Sequence, residues 1–209
     1  METIFITGTG TDVGKTVVAS IVTEALQADY WKPVQAGYED GTDSLTMLDL
    51  ISNRKTIIHP ELYKLKMPAS PHISAEADLV HISIKKIIKN LPATKNRLII
   101  EGAGGLMVPL NKKRFVLDLI KRMRAKVIIV SKNELGSINH SLLTAAVLKQ
   151  ERVEVAGWIF TGAFMNYEHE IADWSGYPLI ASIGQLAEVT RETVKQEADK
   201  IFPKLQKFL

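Results

Sequence analysis

The loop between residues 8 and 16 constrains the fold more than any other feature of this sequence. The apolar run Ile4–Ile6 leads into GTGTDVGKT (residues 8–16), and small residues that suit the start of a helix follow. A strand, a glycine-rich loop and a helix in this order form a P-loop, in which backbone N–H groups turn inward around phosphate oxygens. The N-terminus of the helix adds positive partial charge. The sequence therefore predicts a binding site for nucleotide phosphates.

Two side chains at the end of this loop suit the chemistry of a bound nucleotide. Lys15 would neutralise the terminal phosphates, and the Thr16 hydroxyl would ligate Mg²⁺. The common pattern has a glycine at the position of Thr9, whereas here the glycine is Gly8, so the loop is one residue longer. A glycine-rich turn that binds nothing is the alternative, but Gly-Lys-Thr at a strand-to-helix junction favours the P-loop.

Short apolar runs alternate along the chain with segments of helical spacing. Strands are predicted at Thr3–Thr7, Leu98–Glu101, Lys126–Val130, Val155–Thr161 and Leu179–Ile183, and helices at Thr16–Ala28, Ser83–Asn90, Val116–Met123, Ile138–Gln150 and Val189–Phe202. This alternation predicts an α/β fold with a doubly wound, mainly parallel sheet flanked by helices. We expect one domain over residues 1–209, with the segment from Gln35 to Ser74 partly in loops because it is rich in Pro, Ser and Asn.

Composition argues against several other functions. The chain has no cysteine, which excludes disulfides, thiolate metal sites and cysteine nucleophiles. It has 26 Lys and Arg against 23 Asp and Glu, and the net charge of +3 gives no support for nucleic-acid binding. No apolar run approaches the ~20 residues that span a bilayer, and the N-terminus lacks the pattern of a signal peptide. We expect a cytoplasmic protein that binds neither nucleic acid nor membranes.

Acidic residues downstream of the P-loop are candidates for a magnesium site. The predicted strand Leu98–Glu101 delivers Glu101 to a glycine-rich turn, from which its carboxylate can reach a metal on a nucleotide. Asp43 is a second candidate, although taken alone its position favours the N-cap of the following helix. Lys32 precedes Pro33 at a predicted strand end, and composition alone favours a surface lysine there.

Taken together, these motifs resemble the dethiobiotin synthetase family. The similar blocks are GTGTDVGKT (8–16), KPVQAG (32–37), Thr42-Asp43, SPH (70–72), EGAGG (101–105), LGSINH (135–140) and Gly157-Trp158. They follow the family's order from residue 4 to about residue 160, and their joint occurrence is much more specific than the P-loop alone.

The resemblance implies a P-loop NTPase fold of the nitrogenase iron protein and ParA type, and a reaction. The family uses Mg-ATP to close 7,8-diaminononanoate and CO₂ into dethiobiotin, in biotin biosynthesis, with release of ADP and phosphate. A carbamate and a carbamic–phosphoric anhydride are the intermediates. The implied partners are the diamine, CO₂ or bicarbonate, ATP and a second copy of the chain, because the family forms homodimers with the substrate at the interface.

The resemblance also implies roles for individual residues. The implied catalytic residues are Lys15, Lys32 and Thr11, and the implied metal ligands are Thr16, Asp43 and Glu101. The nucleotide would contact Asp12, Val13, Gly14, Lys15, Thr16, Val17, Glu101, Thr161 and Gly184. The substrate would contact Thr11, Lys32, Ala36, Gly104, Gly136, Ser137, Ile138 and Asn139. The last four would act across the dimer interface, although without the resemblance an ordinary helix-capping turn is the simpler interpretation of them.

Three of these positions depart from the family pattern. Thr161 stands where relatives hold adenine with Asn, Gly184 stands at an expected Pro, and Ala36 replaces a common Ser. Because Thr cannot present the paired donor and acceptor of an amide to a purine edge, the sequence predicts relaxed selectivity for the base. Ala36 predicts the loss of one hydroxyl contact to the substrate. The chain beyond about Gly162 matches the family little.

Three other functions stay open on the sequence alone. A nucleotide switch of the ParA or MinD type usually has a second lysine early in the loop, where this chain has Gly10. The amphipathic segment Val194–Leu209 would suit membrane contact in such a switch, but a helix packed on the core is the better interpretation. An amide-forming ligase of the cobyrinate or cobyrate type needs a cysteine-dependent glutaminase domain, and a small-molecule kinase needs a lid domain that we do not find in the sequence.

Overall fold

The structure is a computed structural model that describes residues 2–39 and 41–209. Its strands are β1 Thr3–Gly8, β2 Asp29–Trp31, β3 Val34–Ala36, β4 Ile58–His59, β5 Tyr63–Leu65, β6 Leu98–Gly105, β7 Pro109–Asn111, β8 Arg114–Phe115, β9 Lys126–Lys132, β10 Val155–Thr161 and β11 Leu179–Ile183. Its helices are α1 Lys15–Leu26, α2 Asp43–Leu50, α3 Pro71–Ala77, α4 Ile84–Lys89, α5 Val116–Met123, α6 Ser137–Gln150, α7 Glu168–Ser175 and α8 Arg191–Phe208.

Seven strands form a parallel sheet in the order β11-β10-β9-β1-β6-β2-β4. Phe5 of the central strand β1 lies opposite Ile100 of β6 on one side and Val127 of β9 on the other. Parallel strands are buried on both faces and so appear in the sequence as continuous apolar runs, which is why the longer strands were predictable. The prediction of a doubly wound α/β sheet flanked by helices is confirmed.

Successive residues of β1 point to opposite faces of the sheet and join two apolar cores. Ile4 and Ile6 pack in the core covered by α1, α2 and α8. Phe5 packs in the core covered by α4, α5, α6 and α7. Helix α8 buries Val194, Ala198, Ile201 and Leu205, which confirms the prediction of a helix packed on the core. None of the described helices combines the length and the apolar composition needed to cross a bilayer.

The structure adds elements that the sequence did not predict. Strand β2 has only three residues, and α7 carries several charged side chains, so neither gives a clear periodic pattern. Within the segment from Gln35 to Ser74, α2 and the small sheet of β3 and β5 lie among loops. The last helix starts at Arg191, where the Thr190 side chain accepts a hydrogen bond from the Thr193 N–H, and it continues past the predicted end through Pro203.

The parallel sheet brings the candidate residues to one edge. At their carboxyl ends, β1 leads into the P-loop and β2 leads into Lys32. In the same way, β9 leads into Asn133, β10 into the loop after Thr161, and β11 into Gly184. In open α/β sheets, ligands bind in the crevice outside these strand ends. The fold therefore places the P-loop, the second lysine and the candidate base-binding positions around one crevice.

Candidate active site

The P-loop follows β1 and ends at the N-terminus of α1. Gly14 is the N-cap of α1 and has a φ of 82°, a left-handed conformation that glycine adopts without steric cost. A Cβ on Gly14 would also lie 3.1 Å from Thr161 Cγ2, and a Cβ on Gly8 would lie 2.7 Å from Val13 Cγ2. These glycines are therefore required by close packing of the loop against itself and against β10.

Lys15 crosses the loop and is buried. Its Nζ donates a hydrogen bond to the carbonyl of Gly10 at 2.7 Å. Burial lowers the pKa of Lys15 to about 8; the Glu101 carboxylate opposes this shift, whereas the charge of Lys32 adds to it. A phosphate bound in the loop would stabilise the protonated ammonium, because an opposite charge nearby favours the charged form.

Thr16, Lys32, Asp43 and Glu101 form a cluster at the start of α1. Thr16 Oγ1 donates to Glu101 Oε1 at 2.9 Å and to Asp43 Oδ1 at 3.2 Å. Lys32 Nζ lies 3.0 Å from Glu101 Oε1 and also contacts Asp43 Oδ2. The interpretation of Lys32 as a surface lysine is wrong, because the residue is only 6% exposed.

Asp43 faces this cluster from the first turn of α2. The N-cap of α2 is Thr42, whose side chain accepts a hydrogen bond from the Leu45 N–H, so the simpler interpretation of Asp43 as the N-cap is wrong. The Asp43 N–H donates to Gln35 Oε1 at 3.3 Å. With the cap supplied by its neighbour, the Asp43 carboxylate is free to meet Thr16 and Lys32.

Tyr30 is a member of the site that the sequence analysis missed. It is fully buried, and its hydroxyl donates to Glu101 Oε2 at 2.8 Å. Burial raises the pKa of Tyr30 well above its usual value, and the negative charge of Glu101 adds to the effect. No local pattern indicated this role, because the contact of Tyr30 with Glu101 depends on β2 lying beside β6.

The donor set fits a magnesium ion. A hydroxyl and two carboxylates are hard oxygen ligands of the kind Mg²⁺ takes, and Lys32 already places positive charge between the carboxylates. Within residues 2–39 and 41–209, no group of three or more His, Cys, Asp or Glu residues is arranged to hold a metal. The usual Mg²⁺ site in nucleotide enzymes combines one or two carboxylates with the phosphates of the ligand.

Two cavities meet at the P-loop. The larger, which we call the P-loop cavity, has a volume of about 860 Å³. The predicted site residues that line it are Thr11, Asp12, Gly14, Lys15, Thr16, Val17, Lys32, Ala36, Asp43, Glu101 and Gly104. The second, which we call the Thr161 cavity, has a volume of about 570 Å³, and the predicted residues that line it are Asp12, Gly14, Val17, Thr161 and Gly184.

Val13 and Thr161 join the loop to β10. The Val13 side chain is buried, and its backbone carbonyl accepts a hydrogen bond from the Thr161 hydroxyl at 2.9 Å. Thr161 therefore uses its hydroxyl on the P-loop backbone. Lys132, Asn133 and Gln185 also line the Thr161 cavity, and the sequence analysis named none of them.

The four residues at the start of α6 stand apart from these cavities. Gly136 is the N-cap of α6 with a φ of 94°, and Ile138 and Asn139 follow in the first turn. The Ser137 hydroxyl lies 2.7 Å from the Tyr167 hydroxyl and is buried. None of the four lines either cavity in its own chain.

Comparison with solved structures identifies the fold. The cell division ATPase MinD of Pyrococcus furiosus matches with a TM-score of 0.66 at 14% identity and covers 100% of both chains. A ParA family ATPase from Chlorobium tepidum matches with a TM-score of 0.60 at 14% identity and covers 100% of this chain and 95% of its own. These matches confirm the predicted P-loop fold of the ParA type, and at this identity they show the fold alone.

Comparison of sequences identifies the family. A family model described as an AAA domain matches residues 2–193. The ATP-dependent dethiobiotin synthetase BioD of Cytophaga hutchinsonii is 48% identical over 205 residues, which cover 97% of this chain and 98% of the relative. The enzyme of the same name from Christiangramia forsetii is 49% identical over 161 residues, which cover 77% of this chain and 76% of the relative. With this similarity over nearly its whole length, the chain belongs to the ATP-dependent dethiobiotin synthetase family.

Proposed function

We propose that this protein is an Mg-ATP-dependent dethiobiotin synthetase that acts in the cytoplasm, with residues 1–209 as one ligase domain. It would join 7,8-diaminononanoate and CO₂ into a cyclic urea and release ADP and phosphate. The observation that carries the proposal is the meeting of two buried lysines, Lys15 and Lys32, in the cavity that also holds Thr16, Asp43 and Glu101.

The reaction requires three bond-forming steps. One amine of the substrate adds to the carbon of CO₂ and loses a proton, which gives a carbamate. A carbamate oxygen attacks the γ-phosphorus of ATP, the bond to ADP breaks, and a carbamic–phosphoric anhydride forms. The second amine attacks the carbonyl carbon, phosphate leaves with the bridging oxygen, and the ring closes.

The two lysines address the electrostatic problem of the second step. Two unit negative charges 4 Å apart repel each other by about 4 kcal/mol at an effective dielectric constant of about 20. A barrier higher by this amount slows a reaction roughly a thousandfold. The ammonium of Lys15 on the phosphate side and that of Lys32 on the carbamate side would offset the repulsion.

The cluster residues serve the nucleotide. Thr16, Asp43 and Glu101 would hold Mg²⁺, which when bound neutralises charge on the β- and γ-phosphates. Tyr30 keeps the Glu101 carboxylate in place through its hydrogen bond. Asp43 and Glu101 hold Lys32 at the wall of the cavity, where a carbamate would compete with them for the ammonium.

A second copy of the chain would complete the site. Three apolar side chains on or near α6 are strongly exposed. Their relative exposures are 91% for Leu135 just before α6, 58% for Leu143 within α6 and 57% for Met107 after β6. A smaller cavity of about 280 Å³ lies between this helix and Thr9–Thr11 of the P-loop. Burying this surface in a homodimer would let the N–H groups of residues 136–139 bind the substrate carboxylate of the other protomer.

The proposal is tested by measuring phosphate and dethiobiotin together. With Mg-ATP, bicarbonate and 7,8-diaminononanoate, we expect one phosphate released for each dethiobiotin detected by mass spectrometry. Without the diamine, phosphate release should be minor. ATP hydrolysis that is indifferent to the diamine, with no dethiobiotin formed, would instead support a nucleotide switch.

A further inference from the structure

Glu24 is a buried carboxylate that the proposed reaction does not use. The residue lies near the C-terminal end of α1 and is only 8% exposed. Its Oε2 accepts hydrogen bonds from the Ser52 N–H at 2.9 Å, from the Asn53 N–H at 3.3 Å and from Asn53 Nδ2 at 3.0 Å. The Ser52 hydroxyl donates to Oε1. One side chain of α1 therefore holds the segment that directly follows α2.

These hydrogen bonds keep the Glu24 carboxylate charged. Burial raises the pKa of Glu24, but the hydrogen bonds from Ser52 and Asn53 outweigh this effect, so the pKa lies below its usual value. Hydrogen bonds to an ionised acceptor are roughly twice as strong as those between neutral groups. The contact between Glu24 and residues 52–53 is therefore a strong and directional connection between the two helices.

This connection lies at the opposite end of α1 and α2 from the candidate metal site. Both helices begin at that site, where Thr16 Oγ1 donates to Asp43 Oδ1 at 3.2 Å. At a rise of about 1.5 Å per residue, α1 extends about 12 Å from Thr16 to Glu24, and α2 extends about 10 Å from Asp43 to Leu50. The two helices are therefore tied to each other at both ends and over similar lengths.

Apolar packing alone would not fix the position of α2 along α1. Met47 and Leu50 of α2 are buried in the same apolar core as Val18 and Val22 of α1. Burial of apolar surface is non-directional, whereas a hydrogen bond depends steeply on distance and angle. Metal ligands must be held to within about 0.5 Å of their productive positions. The directional contact at Glu24 supplies a constraint that the apolar core lacks.

We propose that Glu24 is a positioning residue of the magnesium site, which fixes α2 against α1 so that the Asp43 carboxylate stands beside Thr16. The inference rests on the proposed function, because it takes Asp43 and Thr16 as metal ligands. Glu24 does not line the P-loop cavity, so it acts through the helix and not on the ligands of the site. Loss of its contacts should weaken the binding of Mg²⁺ while the P-loop keeps its structure.

The test is the Mg²⁺ concentration needed for half-maximal ADP binding by the full chain, by Glu24→Gln, by Asp43→Ala and by the double variant. Gln keeps the shape of Glu24 but replaces one acceptor oxygen by an NH₂ group that would face other donors. We expect Glu24→Gln to raise this concentration about threefold to fivefold, less than loss of a direct support of a metal ligand typically does. In the Asp43→Ala background, Glu24→Gln should cause no further rise, because the ligand that it positions is already absent.

Thermal unfolding of the same proteins separates positioning from stability. Glu24→Gln should lower the unfolding midpoint whether or not Asp43 is present, because its contacts with residues 52–53 exist in both backgrounds. Ile201→Val is the matched control, since it removes one buried methylene from α8 in the same apolar core and should leave the Mg²⁺ requirement unchanged. If Glu24→Gln does not fold, Ser52→Ala removes one of its hydrogen bonds at an exposed residue. That variant should shift the Mg²⁺ requirement in the same direction by a smaller factor.

Two results would overturn the proposal. A wild-type Mg²⁺ requirement in Glu24→Gln, together with a lowered unfolding midpoint, would mean that Glu24 serves stability alone. An equal shift with and without Asp43 would mean that Glu24 does not act through that residue. Failure of the proposed function has a different signature: if Asp43→Ala bound ADP with the wild-type Mg²⁺ requirement, the assignment of the metal site would be wrong, and this inference would fall with it.

Discussion

Lys32 Nζ lies 3.0 Å from Glu101 Oε1, and their side chains are only 8% and 1% exposed. The two residues are 69 positions apart in the chain, and the sheet brings them together because β2 and β6 are neighbours. This buried ion pair joins the lysine proposed to act on the carbamate to a carboxylate proposed to hold the metal. Changes at either residue should therefore affect both stability and catalysis.

Replacing Lys32 by Met should remove turnover while the protein still folds. The change keeps the length of the side chain and removes its charge, so we expect a loss of roughly a thousandfold in dethiobiotin formation. Glu101 would lose its buried partner, and breaking such a pair costs about 3–5 kcal/mol of unfolding free energy. Denaturant unfolding and product formation measure the two effects. The control is Lys89→Met, which changes an exposed lysine on α4 and should alter neither.

The pKa of Lys15 predicts how nucleotide binding depends on pH. In the free protein this pKa is lowered to about 8, mainly by burial, and a bound phosphate should raise it. Affinity for Mg-ADP should therefore be highest below about pH 8, where Lys15 is already protonated in the free protein. Above about pH 8 it should fall by up to about tenfold per pH unit, because binding then requires uptake of a proton. Calorimetry between pH 7 and about 9.5 checks this prediction.

The matched variant for this pH dependence is Lys15→Met. The Met side chain cannot titrate. We therefore expect this variant to bind Mg-ADP more weakly than the wild type, without a decline above about pH 8 from the loss of a proton at position 15. If the wild type and Lys15→Met lost affinity in parallel as the pH rose, the change would belong to another group.

Tyr30→Phe should disturb Glu101 without removing any charge. The variant leaves Glu101 Oε2 without the hydroxyl that now donates at 2.8 Å, and an unpaired buried acceptor costs about 1–3 kcal/mol of unfolding free energy. A less well-held carboxylate should also raise the Mg²⁺ concentration needed for half-maximal nucleotide binding. Tyr38→Phe, on a partly buried residue, is the control. An unchanged Mg²⁺ requirement would show that Tyr30 has no part in positioning the metal ligand.

Asp43→Asn tests the second carboxylate that is proposed to hold the metal. Asn keeps the shape of Asp43 but loses the negative charge, so we expect the Mg²⁺ requirement for turnover to rise about tenfold or more. Asp49→Asn lies in the same helix, α2, and changes an exposed carboxylate, so it should behave as the wild type. Equal effects of the two variants would point to the general charge of the helix rather than to a specific ligand.

The sequence predicted the parts of this structure that depend on local pattern. β1, β6, β9, β10 and β11 are buried on both faces, and continuous apolar runs marked them. The P-loop was evident because its glycines and Lys15 have fixed spacing. The three residues of β2 are too few to show a pattern. No local pattern indicated the burial of Lys32, because that burial depends on β2 lying beside β6 in the sheet.

Two residues of the candidate site show why the rest of the site could not be predicted from the sequence. Tyr30 and Asn133 belong to no motif of the P-loop, and their contacts depend on which strands are neighbours in the sheet. Strand order is a tertiary property that apolar runs do not specify. By contrast, Asp43 was misjudged as a possible cap for a local reason, since its neighbour Thr42 is an equally good N-cap and is the one used.

The most direct test of the central claim follows the oxygen atoms of CO₂. If the carbamate is phosphorylated in the P-loop cavity, its bridging oxygen leaves with the phosphate when the ring closes. With C¹⁸O₂ supplied freshly to enzyme, Mg-ATP and 7,8-diaminononanoate, mass spectrometry should find one ¹⁸O atom in each phosphate formed. Unlabelled phosphate released alongside dethiobiotin would contradict the account, because phosphoryl transfer would then not pass through the carbamate.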